Sequence, residues 1–175
     1  KRIPYLLRIF EKIVSKNRSI KLLIIGNYAQ LQEKDEVSSL MEKDNINSNV
    51  VWLKEGIKNE LLPLYYQMAD IYVHTASYEG LCKTIIEASA SGLPVVTTEF
   101  SGLSQTLIPD VSGFIVQKDD PDAFIEKVLK LADDKRLRKE MGDKGRSFIL
   151  ENFDYEKGIN NITQFWHKAI IEYKK

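Results

Sequence analysis

Residues 71–98 read IYVHTASYEGLCKTIIEASASGLPVVTT. The stretch opens on a short β-rich apolar run, 71–74, and crosses a loop that contains Gly80. It then takes on a helical pattern over 84–91, ended by Gly92, and closes on a second apolar run, 94–98. A strand, a helix and a second strand in so few residues make a βαβ unit, whose two strands run parallel.

The same alternation extends both ways. Apolar runs at 20–25 and 50–53 lie upstream, and 114–116 lies downstream. Helical patterns lie between and around them. Leu6, Leu7, Phe10, Ile13 and Val14 form one stripe, with Pro4 suited to a first helical turn. Residues 31–41 read as a polar helix and 61–68 as a short apolar one. Three more helices are expected at 122–132, 135–150 and 155–173, the first with a buried face of Phe124, Val128, Leu129 and Leu131. Residues 45–49 read as a polar surface turn.

The expected fold is therefore α/β, a doubly wound, Rossmann-like parallel sheet covered on both faces. Strand 71–74 should pair with 94–98, and 94–98 with 114–116. The strands at 20 and 50 should pair with each other on the other side. Ligands in such sheets sit beyond the carboxyl ends of the strands, here residues 26–27, 54–56, 75–83 and 99–102.

Composition narrows the function. The 25 basic and 25 acidic side chains give a formal net charge of +0, which argues against a nucleic-acid binder. One cysteine, Cys82, rules out a disulfide within the chain and fits a reducing, cytoplasmic setting. The two histidines stand far apart with no metal-ligand spacing around them, so no metal is expected. Residues 135–146 carry six basic side chains but also Glu140 and Asp143. They read as a solvated helix, or alternatively as a peripheral contact with an anionic membrane carrying a lipid-linked acceptor.

Chemistry concentrates between 77 and 92. The first amides of a helix have no internal partner, and with the helix dipole they suit a diphosphate. Lys83 and Thr84 stand at that helix start. Glu79 lies in the loop and Glu87 on the helix, with seven residues between them. A carboxylate accepts hydrogen bonds from vicinal hydroxyls, so the pair could hold the two sugar rings of a nucleotide sugar. The plainer reading makes both solvated surface charges. Lys83 reaches phosphate or is solvated, and His74 lines the cleft or is structural. Cys82 reads as a small buried thiol.

The run Glu79-Gly80-Leu81, Glu87-Ala88 and residues 91–98 (SGLPVVTT) resembles the retaining glycosyltransferases of GT-B fold, the fourth family in the usual classification. The resemblance extends through the glycine turn at Gly26, residues 61–70, Gly113-Phe114 and the tail at 119–123 and 133–138. It implies that residues 1–175 are the C-terminal domain that binds the donor, with an acceptor domain and the first, central strand of the sheet encoded upstream of Lys1. It implies that Glu79 meets the donor sugar, Glu87 the ribose, and the backbone of Gly80, Leu81, Cys82, Lys83 and Thr84 the phosphates. Gly56 and Ile57 would meet the base, Gly26 would line the nucleotide site, and Lys1 would stabilise the leaving diphosphate beside an arginine that lies further upstream in the family. The implied substrates are a UDP-, GDP- or ADP-sugar and a glycan or lipid-linked acceptor, with no cofactor. A GT-B epimerase, or a non-catalytic binding or chaperone-like subunit, are the rival readings. Intact Glu79 and Glu87 argue against the last.

Overall fold

The computed structural model describes residues 1–27 and 33–173. Five short strands occur there: β1 (Leu22–Ile25), β2 (Val50–Leu53), β3 (Tyr72–His74), β4 (Val95–Thr98) and β5 (Gly113–Val116). Eight helices accompany them: α1 (Ile3–Lys16), α2 (Lys34–Met41), α3 (Asp44–Asn47), α4 (Leu62–Met68), α5 (Lys83–Ala90), α6 (Pro121–Asp133), α7 (Lys135–Asn152) and α8 (Tyr155–Tyr173). The part of the expected 31–41 helix before Glu33 lies outside the described residues.

The strands form two parallel groups. β1 pairs with β2, Leu22 opposite Val50. β4 sits between β3 and β5, with Tyr72 opposite Val95 and Val95 opposite Gly113. This is the neighbour order the sequence leads one to expect. β1 and β3 are not hydrogen-bonded to each other.

Alternation along β4 explains how the second group is filled. Val96 faces a core with Phe114, Val116, Phe124 and α1, whereas Val95 faces a second core with Cys82, Ile85, Phe100, Leu103 and Leu107. All four β4 residues are buried. The first core continues across α1 (Leu7, Phe10, Ile13, Val14) to Leu22, Ile24, Val37, Leu40 and Ile46. Each fully buried side chain of this size contributes roughly 1.5–3 kcal/mol.

Two expectations need correction. Among the described residues the β1–β2 pair is covered chiefly on one face, because α1, α2 and α3 pack on the side of Leu22 and Ile24. Leu23 and Val51 on the other side are 37% and 53% exposed. Residues 45–49 are not a surface turn. They include most of the short helix α3, which drives Ile46 into the core at 0% exposure. Asn49 is buried too, accepting from Lys21 Nζ at 2.8 Å and donating to the Asn45 carbonyl at 2.9 Å. Five polar neighbours, Asp44, Asn45, Asn47, Ser48 and Asn49, hid one anchoring isoleucine.

Local chemistry sets the ends of α5, the helix that matters most. At its C-terminus Gly92 takes φ 83°, which lets the Gly92 amide reach the Ser89 carbonyl at 2.9 Å and the Leu93 amide reach Ala88 at 3.0 Å. Pro94 then stops any continuation and feeds β4. Asp120 and Asp134 cap α6 and α7 by accepting from the amides of Ala123 and Leu137, both at 2.9 Å.

Candidate functional site

The carboxyl end of β3 delivers His74 into a loop that leads to the start of α5. Cys82 is the N-cap residue of α5 and makes no side-chain cap bond. The first amides, those of Lys83 and Thr84, therefore point outward without an internal acceptor. Gly102, after β4, takes φ 82° and lies so close to the Gly80 carbonyl that a side chain there would collide with it. Ser101 Oγ donates to the Glu79 carbonyl at 3.3 Å. The β4 end thus supports the Glu79 loop from behind.

Lys1 pairs with the Glu79 carboxylate. Its position is fixed by its neighbours: Thr75 Oγ1 donates to the Lys1 carbonyl at 3.1 Å, and Arg2 donates to the Lys118 carbonyl at 2.8 Å and to Asp119 at 2.9 Å. Arg2 also lies over the Tyr5 ring at 4.0 Å. Burial pushes the Glu79 carboxyl up, but the hydrogen bond and charge of Lys1 outweigh this and hold it below the usual carboxylate range. Nothing in the sequence pattern marks Arg2 as the residue that anchors this end.

His74 is 5% exposed. Burial, reinforced by the Lys1 charge and opposed by Glu79, pulls its pKa down to about 4, so the ring is neutral at pH 7. The 3.9 Å approach of Nε2 to Glu79 is accordingly not an ion pair. Tyr72 OH donates to Thr84 Oγ1 at 2.7 Å and leaves its oxygen lone pair 3.4 Å from His74 Nδ1. That network assigns the proton to Nδ1. Nε2 then faces Cys82 Sγ at 3.6 Å as an acceptor. Cys82 is buried, as the sequence suggests, and belongs to this polar cluster as well as to the core.

Glu87 stands one helix face away and is exposed. Tyr66 of α4 donates to its Oε2 at 2.9 Å and stacks edge-on against Tyr72, with ring centroids 6.1 Å apart. Burial, then the Tyr72 and Glu87 neighbours, push the Tyr66 phenol far above its ordinary value, so it remains a donor. Tyr66 fixes the orientation of Glu87; the sequence shows it only as part of an apolar helix.

The structure thus brings Lys1, Glu79, Gly80, Leu81, Cys82, Lys83, Thr84 and Glu87 to one edge, with His74, Tyr66 and Tyr72 beneath them. Gly26, Gly56 and Ile57 lie beyond the carboxyl ends of β1 and β2. Gly26 and Gly56 both have positive φ, and both amides reach the Leu53 carbonyl, at 2.9 and 3.1 Å. Trp52 Nε1 donates to the Gly26 carbonyl at 2.8 Å. Among the described residues, no hydrogen bond joins these three positions to the Glu79 loop. In 135–146, Arg138 turns inward to the Leu131 and Ala132 carbonyls, and Lys139 pairs with Asp143 at 2.8 Å. These contacts suit a solvated helix. Among the described residues, no helix is long and apolar enough to cross a membrane.

Residues 1–148 match the family model described as "Glycosyl transferases group 1". The chain belongs to that family. It is 35% identical over 153 residues to the capsular polysaccharide biosynthesis glycosyltransferase CapM of Staphylococcus aureus, covering 87% of this chain and 39% of CapM. The chain therefore spans about two fifths of that relative. A substituted TarM of S. aureus, solved with fondaparinux, alpha-GlcNAc-glycerol and UDP, superposes with TM-score 0.82 at 25% identity, over 94% of this chain and 32% of TarM. The C-terminal domain of the group 1 glycosyl transferase LpcC from Francisella tularensis superposes with TM-score 0.77 at 18% identity, over 87% of this chain and 79% of that domain. The likeness to LpcC concerns the fold, which is the Rossmann-like C-terminal half of a GT-B glycosyltransferase.

Proposed function

We propose that this group 1 glycosyltransferase chain is the donor half of a retaining enzyme that moves a sugar from a nucleoside diphosphate sugar to a glycan or lipid-linked acceptor. One observation carries the reading. Glu79 and Glu87 flank the open amides of α5 at the carboxyl edge of the sheet, each already oriented by a donor, Lys1 and Tyr66. The similar TarM structure was solved with UDP, which supports a nucleoside diphosphate as a ligand of this chain.

In this reading the diphosphate sits on the amides of Lys83 and Thr84, with Lys83 Nζ alongside. Glu87 accepts from the ribose hydroxyls through the oxygen that Tyr66 leaves free. Glu79 accepts from the donor sugar. The backbone of Gly56 and Ile57 meets the base, and the Gly26 turn lines the nucleotide site. As the anomeric bond breaks, negative charge develops on the leaving diphosphate. Lys1 and the helix amides are fixed in place to stabilise it. No side chain here is placed as a covalent nucleophile; the leaving phosphate assists attack from the same face, which preserves the anomeric configuration. The strand that would lie between β1 and β3, and the acceptor domain, are assigned to chain outside residues 1–175. Reaction in the cytoplasm, where nucleotide sugars are made, completes the proposal.

The test is calorimetric titration of the full-length protein with UDP, GDP and ADP, followed by variants against the tightest binder. Glu87→Ala should weaken nucleotide binding about tenfold or more, since charged hydrogen bonds contribute roughly 1.5–3 kcal/mol. Glu79→Gln should cut transfer about 100-fold, comparable to loss of one preorganised electrostatic contact, with nucleotide affinity nearly intact. Unchanged affinity in Glu87→Ala defeats the ribose assignment.

A further inference from the structure

The cluster of His74, Glu79 and Cys82 has a composition that donor binding does not require. One ligand atom from each of the three lies within 4.8 Å of the others. The sulfur is 3.6 Å from Nε2, and Nε2 is 3.9 Å from the carboxylate oxygen. A tetrahedral zinc ion, at its ordinary ~2.3 Å to sulfur and ~2.0 Å to nitrogen or oxygen, holds such ligands about 3.3–3.6 Å apart. The imidazole therefore needs to close on the sulfur by about 0.1 Å and on the carboxylate by about 0.6 Å, and the sulfur on the carboxylate by at most about 1.3 Å.

The second shell points the same way. Tyr72 OH donates to Thr84 and offers its lone pair to His74 Nδ1–H. That is the outer hydrogen bond which orients a metal-bound imidazole and leaves the other nitrogen free to ligate. The ligand set, one thiolate, one imidazole and one carboxylate, selects a borderline-soft ion such as Zn²⁺ over Mg²⁺. Cys82 and His74 are walled in by Phe100 and Tyr72, and Glu79 forms the solvent-facing side, its side chain 22% exposed. An ion enters from there. Lys1, whose ammonium holds the same carboxylate, is the more exposed partner; its backbone stays held by Thr75 while its side chain can swing into solvent.

We propose that His74, Glu79 and Cys82 form a zinc-class binding site that competes with Lys1 for the Glu79 carboxylate. Binding converts the Cys82 thiol to a thiolate, its proton passing to solvent. The consequence for catalysis rests on the donor reading above: a bound ion takes Glu79 away from the donor sugar and inhibits transfer.

Co²⁺ occupies zinc sites and reports a thiolate ligand through a charge-transfer band in the near ultraviolet. Titrated into the full-length protein, it should give a saturable band that Zn²⁺ displaces. Cys82→Ser should abolish the band. Tyr72→Phe, which keeps all three ligands, should weaken Co²⁺ binding about tenfold, as loss of an outer-shell partner does. Absence of a thiolate band in the unsubstituted protein overturns the site without reliance on any variant. A band that persists in Cys82→Ser overturns it equally, since the metal would then sit elsewhere. In the transfer assay Zn²⁺ should raise the apparent KM for the sugar donor, reversibly with a chelator. A Cys82-dependent band with no such competition would support the metal site and remove Glu79 from the donor-sugar position.

Discussion

The two strand groups of this chain are built to different standards. β3–β4–β5 packs against a core on each face, and three groups near its carboxyl edge are held by partners: Glu79 by Lys1, Glu87 by Tyr66 and Thr84 by Tyr72. β1–β2 is packed chiefly on one face, exposes Leu23 and Val51, and ends in glycine turns held by the Leu53 carbonyl and by the Trp52 indole. The difference follows the chemistry each edge would perform. Carboxylates must be aimed, and aiming needs a rigid two-sided core beneath them. In the proposed reading, a flat base met by the backbone of Gly56 and Ile57 needs a turn of the right shape, which the positive φ of Gly56 supplies.

The sharpest way to break this comparison is to excavate each half. Ile85 on α5 is 0% exposed between β4 and the loops behind it, and Leu23 on β1 is 37% exposed. Ile85→Ala should destabilise by about 3 kcal/mol, the transfer loss plus a cavity. Leu23→Ala should cost about 1 kcal/mol or less, because much of its surface already meets water. Urea unfolding of the two variants measures both. Similar shifts in midpoint would mean that the open face of β1–β2 is covered in the whole protein, and that the asymmetry belongs to these residues alone.

Much of this was legible beforehand. The neighbour order within each strand group follows from short apolar runs alternating with helical patterns, and the α5 terminus follows from Ser91-Gly92-Leu93-Pro94. The open face of β1 did not, since Leu22-Leu23-Ile24-Ile25 reads as a strand buried on both sides. Periodicity reports what a residue prefers and is silent about which helix arrives to cover it. The positions of Glu79 and Glu87 were readable from spacing. Their partners were not, because Lys1 and Tyr66 reach them from α1's start and α4 by tertiary packing. The meeting of His74 with Cys82 was hidden for the same reason: they are eight residues apart in sequence, and only the return of the loop onto β3 joins them.

Acid should find the β3–β4–β5 half first. The folded His74 pKa is about 4, against roughly 6.5 in an unfolded chain. The folded state refuses a proton that the unfolded state accepts, so stability is intact above about pH 6.5 and falls as pH drops toward 4. Linkage gives a loss of about 2 kcal/mol between pH 7 and 5. Glu79, held below its ordinary value by Lys1, loses its contribution in a more acidic window, so the two separate. Urea midpoints in a chelating buffer should show the slope, and His74→Gln should flatten it between pH 7 and 5. Hydrogen exchange at pH 5 should rise in β3 before β1. An unchanged slope in His74→Gln would place the titrating group elsewhere.

The smallest expected effect tests whether the aiming itself matters. Tyr66 touches Glu87 and, in the donor reading, no part of the nucleotide. Its phenol fixes Oε2 at 2.9 Å and leaves the other oxygen for the ribose. Tyr66→Phe keeps the ring and its edge contact with Tyr72, and removes only the hydroxyl. Glu87 then samples several rotamers and must be ordered by the ligand, a cost of about 0.6 kcal/mol, within the 0.5–1.5 kcal/mol range of a single hydrogen bond. Affinity for the nucleoside diphosphate should fall about threefold by calorimetry. A merely structural role would give the same fall for every nucleotide. A positioning role makes a distinct demand: a 2′,3′-dideoxyribose diphosphate offers Glu87 no hydroxyl, so Tyr66→Phe should bind that analogue as well as the unsubstituted protein does. Equal penalties on both ligands would assign Tyr66 to packing, and would leave the contrast between the two strand groups one of stability alone.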